Sequence, residues 1–166
     1  MPVSRSPRWA YGALAWLILF TASHVVLVLV AGDDPTGDGP WGRRAYLIFN
    51  VVLIVMSTVG AAVVAATVRP WARQLPRWLI LIPLWFGSIL LVLRGVPGMV
   101  ENVLMVTGNR RGGFVGAQDI STGEFWAGIG INTYFFLGAV LLVAATVSHT
   151  RRSSKSRRDG PSDRSE

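Results

Sequence analysis

Six polar residues stand in or beside long apolar stretches and could contact a ligand: His24, Asn50, Arg94, Glu101, Asn102 and Asn132. They offer an imidazole, three amides, a guanidinium and a carboxylate, which bind polar or charged groups by hydrogen bonds and ion pairs. Polar side chains inside apolar spans are costly and usually face a bundle interior or a cavity. With the spans oriented as below, all six lie toward the outer side of the membrane. The sequence therefore predicts an outward-facing polar pocket.

The segment that follows Arg94 predicts a change of direction. Gly95 to Gly98 contains Pro97, and proline lacks the amide donor that a continuing helix requires. Met99 to Val106 then predicts a short extra helix in the third, outer connection. If that helix folds back, Glu101 becomes the charge partner of Arg94. The alternative is an interfacial anchor whose polar residues have no special role.

Catalytic and metal chemistry find little support in the residue types. The chain has no cysteine, which excludes disulfides, thiolate nucleophiles and iron–sulfur clusters. The two histidines, His24 and His149, are predicted on opposite membrane faces and cannot share a haem within one chain. A metal site would need His24 with Glu101 or Glu124, but the sequence favours a buried His24 that bonds a neighbouring helix. We predict no metal, no cofactor and no assigned catalytic residue.

The elements that must position these residues are membrane spans. Hydrophobic residues make up 51% of the chain and charged residues 15%, against about 25% charged in soluble domains. Four apolar segments are long enough to cross a bilayer, which takes about 20 helical residues. They cover residues 9–31, 46–68, 78–94 and 125–147. We predict an all-α, integral membrane four-helix bundle over residues 1–150.

Orientation follows from the basic residues. Eleven of the 16 Lys and Arg residues fall in the two termini and the second connection, against five in the first and third connections. The positive-inside rule therefore puts both termini in the cytoplasm, here of a bacterial inner membrane. Residues 151–166 are basic, rich in serine and poor in apolar residues, which predicts a disordered tail. Topology and lipid headgroups account for the net charge of +7, so no nucleic-acid partner is expected.

Several short motifs resemble those of an uncharacterised family of small four-helix bacterial membrane proteins, a domain of unknown function. They are Leu75-Pro76-Arg77-Trp78, the apolar helix after it, and Leu93-Arg94-Gly95 with Gly98. The resemblance covers residues 9–147 and implies the four-helix fold. It implies no activity.

Three classes of function remain open from the sequence. The leading one is a non-enzymatic membrane protein that binds a lipid, a small amphiphile or a partner protein through the outward-facing pocket. The second is a small membrane enzyme or carrier for an anionic or isoprenoid substrate. The third is a structural or assembly protein without a ligand. Membrane lipids are the expected partners, with a membrane protein or a second copy of the chain as further candidates.

Overall fold

A computed structural model describes residues 8–30, 42–69, 74–109 and 121–158. Four α-helices run through these ranges: α1 (Arg8–Val30), α2 (Gly42–Val68), α3 (Arg77–Val106) and α4 (Thr122–Arg158). Each is long and apolar enough to cross a membrane, with the apolar part of α4 covering Thr122–Arg151. The predicted all-α class with four candidate spans is confirmed.

The helical form follows from the apolar surroundings that these sequences imply. In hydrocarbon, backbone amides and carbonyls have no water to bond, and a helix satisfies them within one segment. Hydroxyl side chains in the helices are satisfied in the same way. Ser88 donates to the carbonyl of Leu84 at 2.7 Å and Thr146 to that of Leu142 at 2.8 Å. Such bonds let serine and threonine lie inside an apolar helix.

The separate short helix predicted after Arg94 is wrong. Helix α3 runs without a break from Arg77 to Val106, a length of 30 residues. Proline in a membrane helix is tolerated when neighbouring groups satisfy the freed backbone. The glycines here admit a neighbouring helix rather than turn the chain. A Cβ on Gly95 would lie 2.9 Å from the Cα of Phe136 in α4, closer than real Cβ atoms approach.

Helix α4 is longer at both ends than the span predicted at residues 125–147. Its start is fixed by a capping box at Ser121 and Glu124. The Glu124 carboxylate accepts the Ser121 amide at 2.8 Å, and the Ser121 hydroxyl accepts the Glu124 amide at 3.3 Å. At the other end the helix continues through residues 151–158, which were expected to be disordered. Each residue added to an existing helix gains a backbone bond, and Lys and Arg are good helix formers. Residues 159–166 of the predicted tail lie outside the described ranges.

The internal contacts divide the chain after Pro83 into two compact units. In the first unit, α1 packs on α2. The Thr21 and Ser57 hydroxyls share a hydrogen bond of 2.8 Å between these helices. Small residues on α2 permit the approach, since a Cβ on Gly60 would only just touch Leu17 of α1, at 3.6 Å.

The second unit contains most of α3 and all of α4, which form an antiparallel pair. The buried hydroxyl oxygens of Ser88 and Thr146 lie 3.1 Å apart between the two helices, where either can donate its hydrogen to the other in place of the bond to its own helix. Fourteen residues further along α3, the Asn102 amide reaches the carbonyl of Ile129, which is 17 residues earlier on α4. These two contacts are separated by about 21 Å along α3. The α3–α4 interface therefore carries polar contacts along much of its length.

Candidate functional site: a polar cluster between α3 and α4

Four of the six predicted pocket residues come together in the second unit. Arg94, Glu101 and Asn102 lie on α3, and Asn132 lies on α4. We call these four residues the α3–α4 polar cluster. His24 and Asn50 belong to the first unit, where each has a different environment.

His24 and Asn50 bond mainly within their own helices. His24 is half-buried, with Nδ1 2.9 Å from the carbonyl oxygen of Phe20 and its ring tilted by 31° against the Phe20 ring, at 4.1 Å between ring centres. Among the described residues, Nδ1 of His24 bonds Phe20 and Ser23 of its own helix, whereas the sequence favoured a bond to a neighbouring helix. Asn50 is only 3% exposed, and its amide donates to the carbonyl of Tyr46 at 2.8 Å. The hydrogen bonds described for both residues therefore run within their own helices.

Helical periodicity places the cluster residues on the faces of α3 and α4 that contact each other. Positions 94, 98, 101 and 102 repeat at helical spacing and share a face of α3, while 129, 132, 133 and 136 do the same on α4. Glycine at position 98 creates the space that the cluster occupies. A Cβ there would lie 2.8 Å from Oδ1 of Asn132 and 2.9 Å from Nη1 of Arg94. A side chain at Gly98 would therefore displace the two groups that meet over it.

Asn132 stands between the two charged residues. Nη1 of Arg94 donates to Oδ1 of Asn132 at 3.0 Å, and Nδ2 of Asn132 donates to Oε2 of Glu101 at 3.2 Å. The described residues show no direct ion pair between Arg94 and Glu101, so the predicted pair is replaced by one bridged through an amide. The orientation of that amide is fixed electrostatically. Turning it over would set its NH₂ group against the guanidinium and its oxygen against the carboxylate.

The side-chain amide of Asn102 bonds three groups of α4. Its Nδ2 donates to the Ile129 carbonyl at 3.1 Å and to the Thr133 hydroxyl at 3.2 Å, and its Oδ1 accepts from Asn132 at 3.1 Å. Every N–H of the two asparagine amides thus has a partner, and each amide oxygen accepts one bond. Buried amides satisfied in this way cost little and fix the register of two helices.

Glu101 is satisfied on one side only. The residue is 5% exposed, and its Oε1 is buried with no hydrogen-bond partner among the described residues. A buried carboxylate oxygen without a donor is unfavourable, because desolvation is not compensated. In a cluster where both amides are saturated, this oxygen is the exception.

Arg94 is exposed although it bonds a buried amide. Its guanidinium carbon lies 4.7 Å from the centre of the Phe135 ring, a cation–π contact that holds the group in place. The only hydrogen bond recorded for it in the described part of the chain goes to Asn132. A guanidinium has five N–H donors, so most of this fork remains open to the surroundings.

Sequence reasoning missed Phe135 and Thr133. A signal was present, since Phe135 follows Asn132 by three residues and so shares its side of α4. No group of three or more His, Cys, Asp or Glu residues within the described ranges could hold a metal ion. The chemistry of the cluster is that of hydrogen bonding and charge pairing.

The hydropathy and the exposed side chains define the class of protein. Large apolar residues are exposed on all four helices, among them Leu29, Ile48, Leu93 and Trp126. Exposed apolar surface of this extent marks contact with lipid or protein rather than with water. Together with four helices of spanning length, it identifies a multi-pass helical membrane protein. No protein-family model, curated protein or solved structure matches the chain.

Proposed function

We propose that this chain is a non-enzymatic inner-membrane protein of bacterial type, with both termini cytoplasmic, that binds the phosphate of a lipid headgroup at Arg94. The observation that carries the proposal is the exposed guanidinium of Arg94, which lies over the Phe135 ring and is anchored on Asn132 through one nitrogen. Arginine recognises phosphate with paired N–H bonds. Phe135 and Asn132 orient this fork, while its remaining donors stay available. The resemblance to the uncharacterised four-helix family belongs to the same proposal and adds no activity.

The depth of the cluster supports a headgroup as the ligand. Arg94 lies 17 residues after Arg77 on one continuous helix, which is about 26 Å along the axis. Glu101 lies 24 residues after Arg77, or about 36 Å. If Arg77 stands at the cytoplasmic boundary of a hydrocarbon layer about 30 Å thick, the cluster straddles the outer boundary. Lipid phosphates occupy that level.

A purely structural role explains part of the cluster. The two asparagines tie α3 to α4, as an assembly protein would require. That role does not explain why Arg94 presents open donors, nor why Glu101 Oε1 has no partner within the described ranges. Lipid binding accounts for the first of these features.

The test is titration of the purified protein in detergent micelles with short-chain phosphatidylglycerol, followed by native mass spectrometry. Arg94→Gln should weaken binding about tenfold or more, the value of one to two charge-assisted hydrogen bonds. Arg8→Gln is the matched control. Arg8 is exposed at the start of α1, so its substitution removes the same charge at a different place. Equal affinity in both variants and the wild type would refute headgroup binding at Arg94.

The orientation is tested separately with fused reporters. A reporter after Glu166 should be cytoplasmic and one inserted at Gly113 external, as the distribution of basic residues requires. A cytoplasmic Gly113 reporter would overturn the four-span topology.

A further inference from the structure

We infer that the headgroup bound at this site is zwitterionic, a phosphoester carrying a primary ammonium group, with the phosphate on Arg94 and the ammonium on Glu101. This rests on the lipid-binding function proposed above and names its ligand class. It follows from the unpartnered oxygen of Glu101, which binding at Arg94 alone leaves unexplained.

One carboxylate oxygen of Glu101, Oε1, is left to accept a hydrogen bond. Its Oε1 has no partner within the described residues, and its Oε2 is held by one bond of 3.2 Å from Asn132. The neighbouring amide of Asn102 cannot fill the vacant position, because its donors are taken by Ile129 and Thr133. Among the described residues no donor reaches Oε1, so an ammonium group of a bound ligand would complete the carboxylate.

Charge balance selects an ammonium rather than a hydroxyl. The cluster contains one guanidinium and one carboxylate, which balance across Asn132. Adding a phosphate alone leaves an uncompensated negative charge beside Glu101, and unpaired charge in a dry site is costly. A phosphate with an ammonium group adds no net charge. Each charge of the ligand then faces an opposite charge of the protein.

The spacing of the two charges fits a short headgroup. Arg94 and Glu101 are separated by the width of one amide group and its two hydrogen bonds. In phosphoethanolamine a two-carbon link separates the phosphate from the ammonium, which is a comparable reach. Oε1 is closed to solvent before binding, so the Glu101 side chain must turn toward the ligand. The single long bond to Asn132 is the only hydrogen bond recorded for its carboxylate in the described residues.

The experiment compares short-chain lipids that share their acyl chains and differ in headgroup. These are phosphatidylethanolamine, its N-methylated forms up to phosphatidylcholine, phosphatidylglycerol and phosphatidic acid. The wild type should bind phosphatidylethanolamine about tenfold tighter than phosphatidylglycerol or phosphatidylcholine, the value of a charge-assisted hydrogen bond. Choline keeps the positive charge but has no N–H, so affinity should fall along the methylation series. Glu101→Gln should abolish this ranking and retain phosphatidylglycerol binding.

Each outcome separates this inference from the function on which it rests. If no phosphate lipid binds, the lipid-binding proposal fails and this one with it. If all headgroups bind equally, lipid binding stands and the ammonium assignment is overturned; equal binding of choline and ethanolamine lipids overturns it as well. Free phosphoethanolamine that competes as well as the lipid would assign the same chemistry to a soluble ligand. The wild-type ranking decides the question even if Glu101→Gln fails to fold.

Discussion

Substitution of Asn132 by alanine is the most direct test of the bridged cluster. The change removes three hydrogen bonds, to Arg94, Glu101 and Asn102. It leaves Glu101, which is 5% exposed, without any recorded donor and no longer linked to the guanidinium. Loss of the partner of a buried charge costs about 3–5 kcal/mol. Interhelical bonds in membranes average only about 0.6 kcal/mol each, so a network of neutral bonds would give about 2 kcal/mol.

Asn50→Ala provides a matched control. Asn50 is also a buried asparagine, at 3% exposure, but its amide bond runs to Tyr46 within the same helix. Its loss should cost about 1 kcal/mol. Both variants are compared with the wild type by reversible unfolding in mixed detergent micelles, followed by circular dichroism. A cost for Asn132→Ala within about 0.5 kcal/mol of that for Asn50→Ala would refute the bridging role of Asn132.

Three further outcomes follow from the same contacts. Gly95→Ala should destabilise the protein by about 1–3 kcal/mol, because the new methyl group would clash with the α4 backbone. The control Gly128→Ala has open space at its Cβ and should be neutral or stabilising in the same unfolding assay. In a double-mutant cycle, Arg94→Gln and Glu101→Gln together should lower the free energy of unfolding by less than the sum of the two single effects. The expected coupling is about 1 kcal/mol, and it should disappear in the Asn132→Ala background. Strict additivity in the wild-type background would contradict the bridge. Removal of residues 159–166 should leave the melting temperature unchanged, since their sequence offers no large apolar side chain to pack. A drop of many degrees would show that they pack on the helices.

The sequence located the polar residues better than it described their contacts. Arg94, Glu101, Asn102 and Asn132 were all identified, because polar groups in apolar segments are conspicuous and costly. Their partners were not predictable from spacing along one helix. The Arg94–Glu101 pair was expected from sequence proximity, yet the structure places an α4 amide between them. That amide is 31 residues away from Glu101 in sequence, and only helix packing brings it there.

The helix break expected from local propensity in α3 is absent because helix packing decides the conformation there. Gly95, Pro97 and Gly98 predict a break when α3 is considered alone, but the helix continues through them. The same glycines let the α4 backbone and the Asn132 side chain come within about 3 Å of where a Cβ would stand. Close approach of α4 compensates for the weaker helix propensity, a tertiary effect that a single-helix pattern does not contain.

The sequence by itself determined the class of fold and the number of candidate spans. Hydrophobic length is a local property, and an apolar segment of about 20 residues in lipid has no alternative to a helix. The tertiary structure decided which polar groups meet, and that one oxygen of Glu101 has no donor in the part of the chain that the structure describes. Hydrogen bonds depend on distances of a few tenths of an ångström between side chains on different helices. Such distances are set by how two helices pack, and no pattern along one helix specifies them.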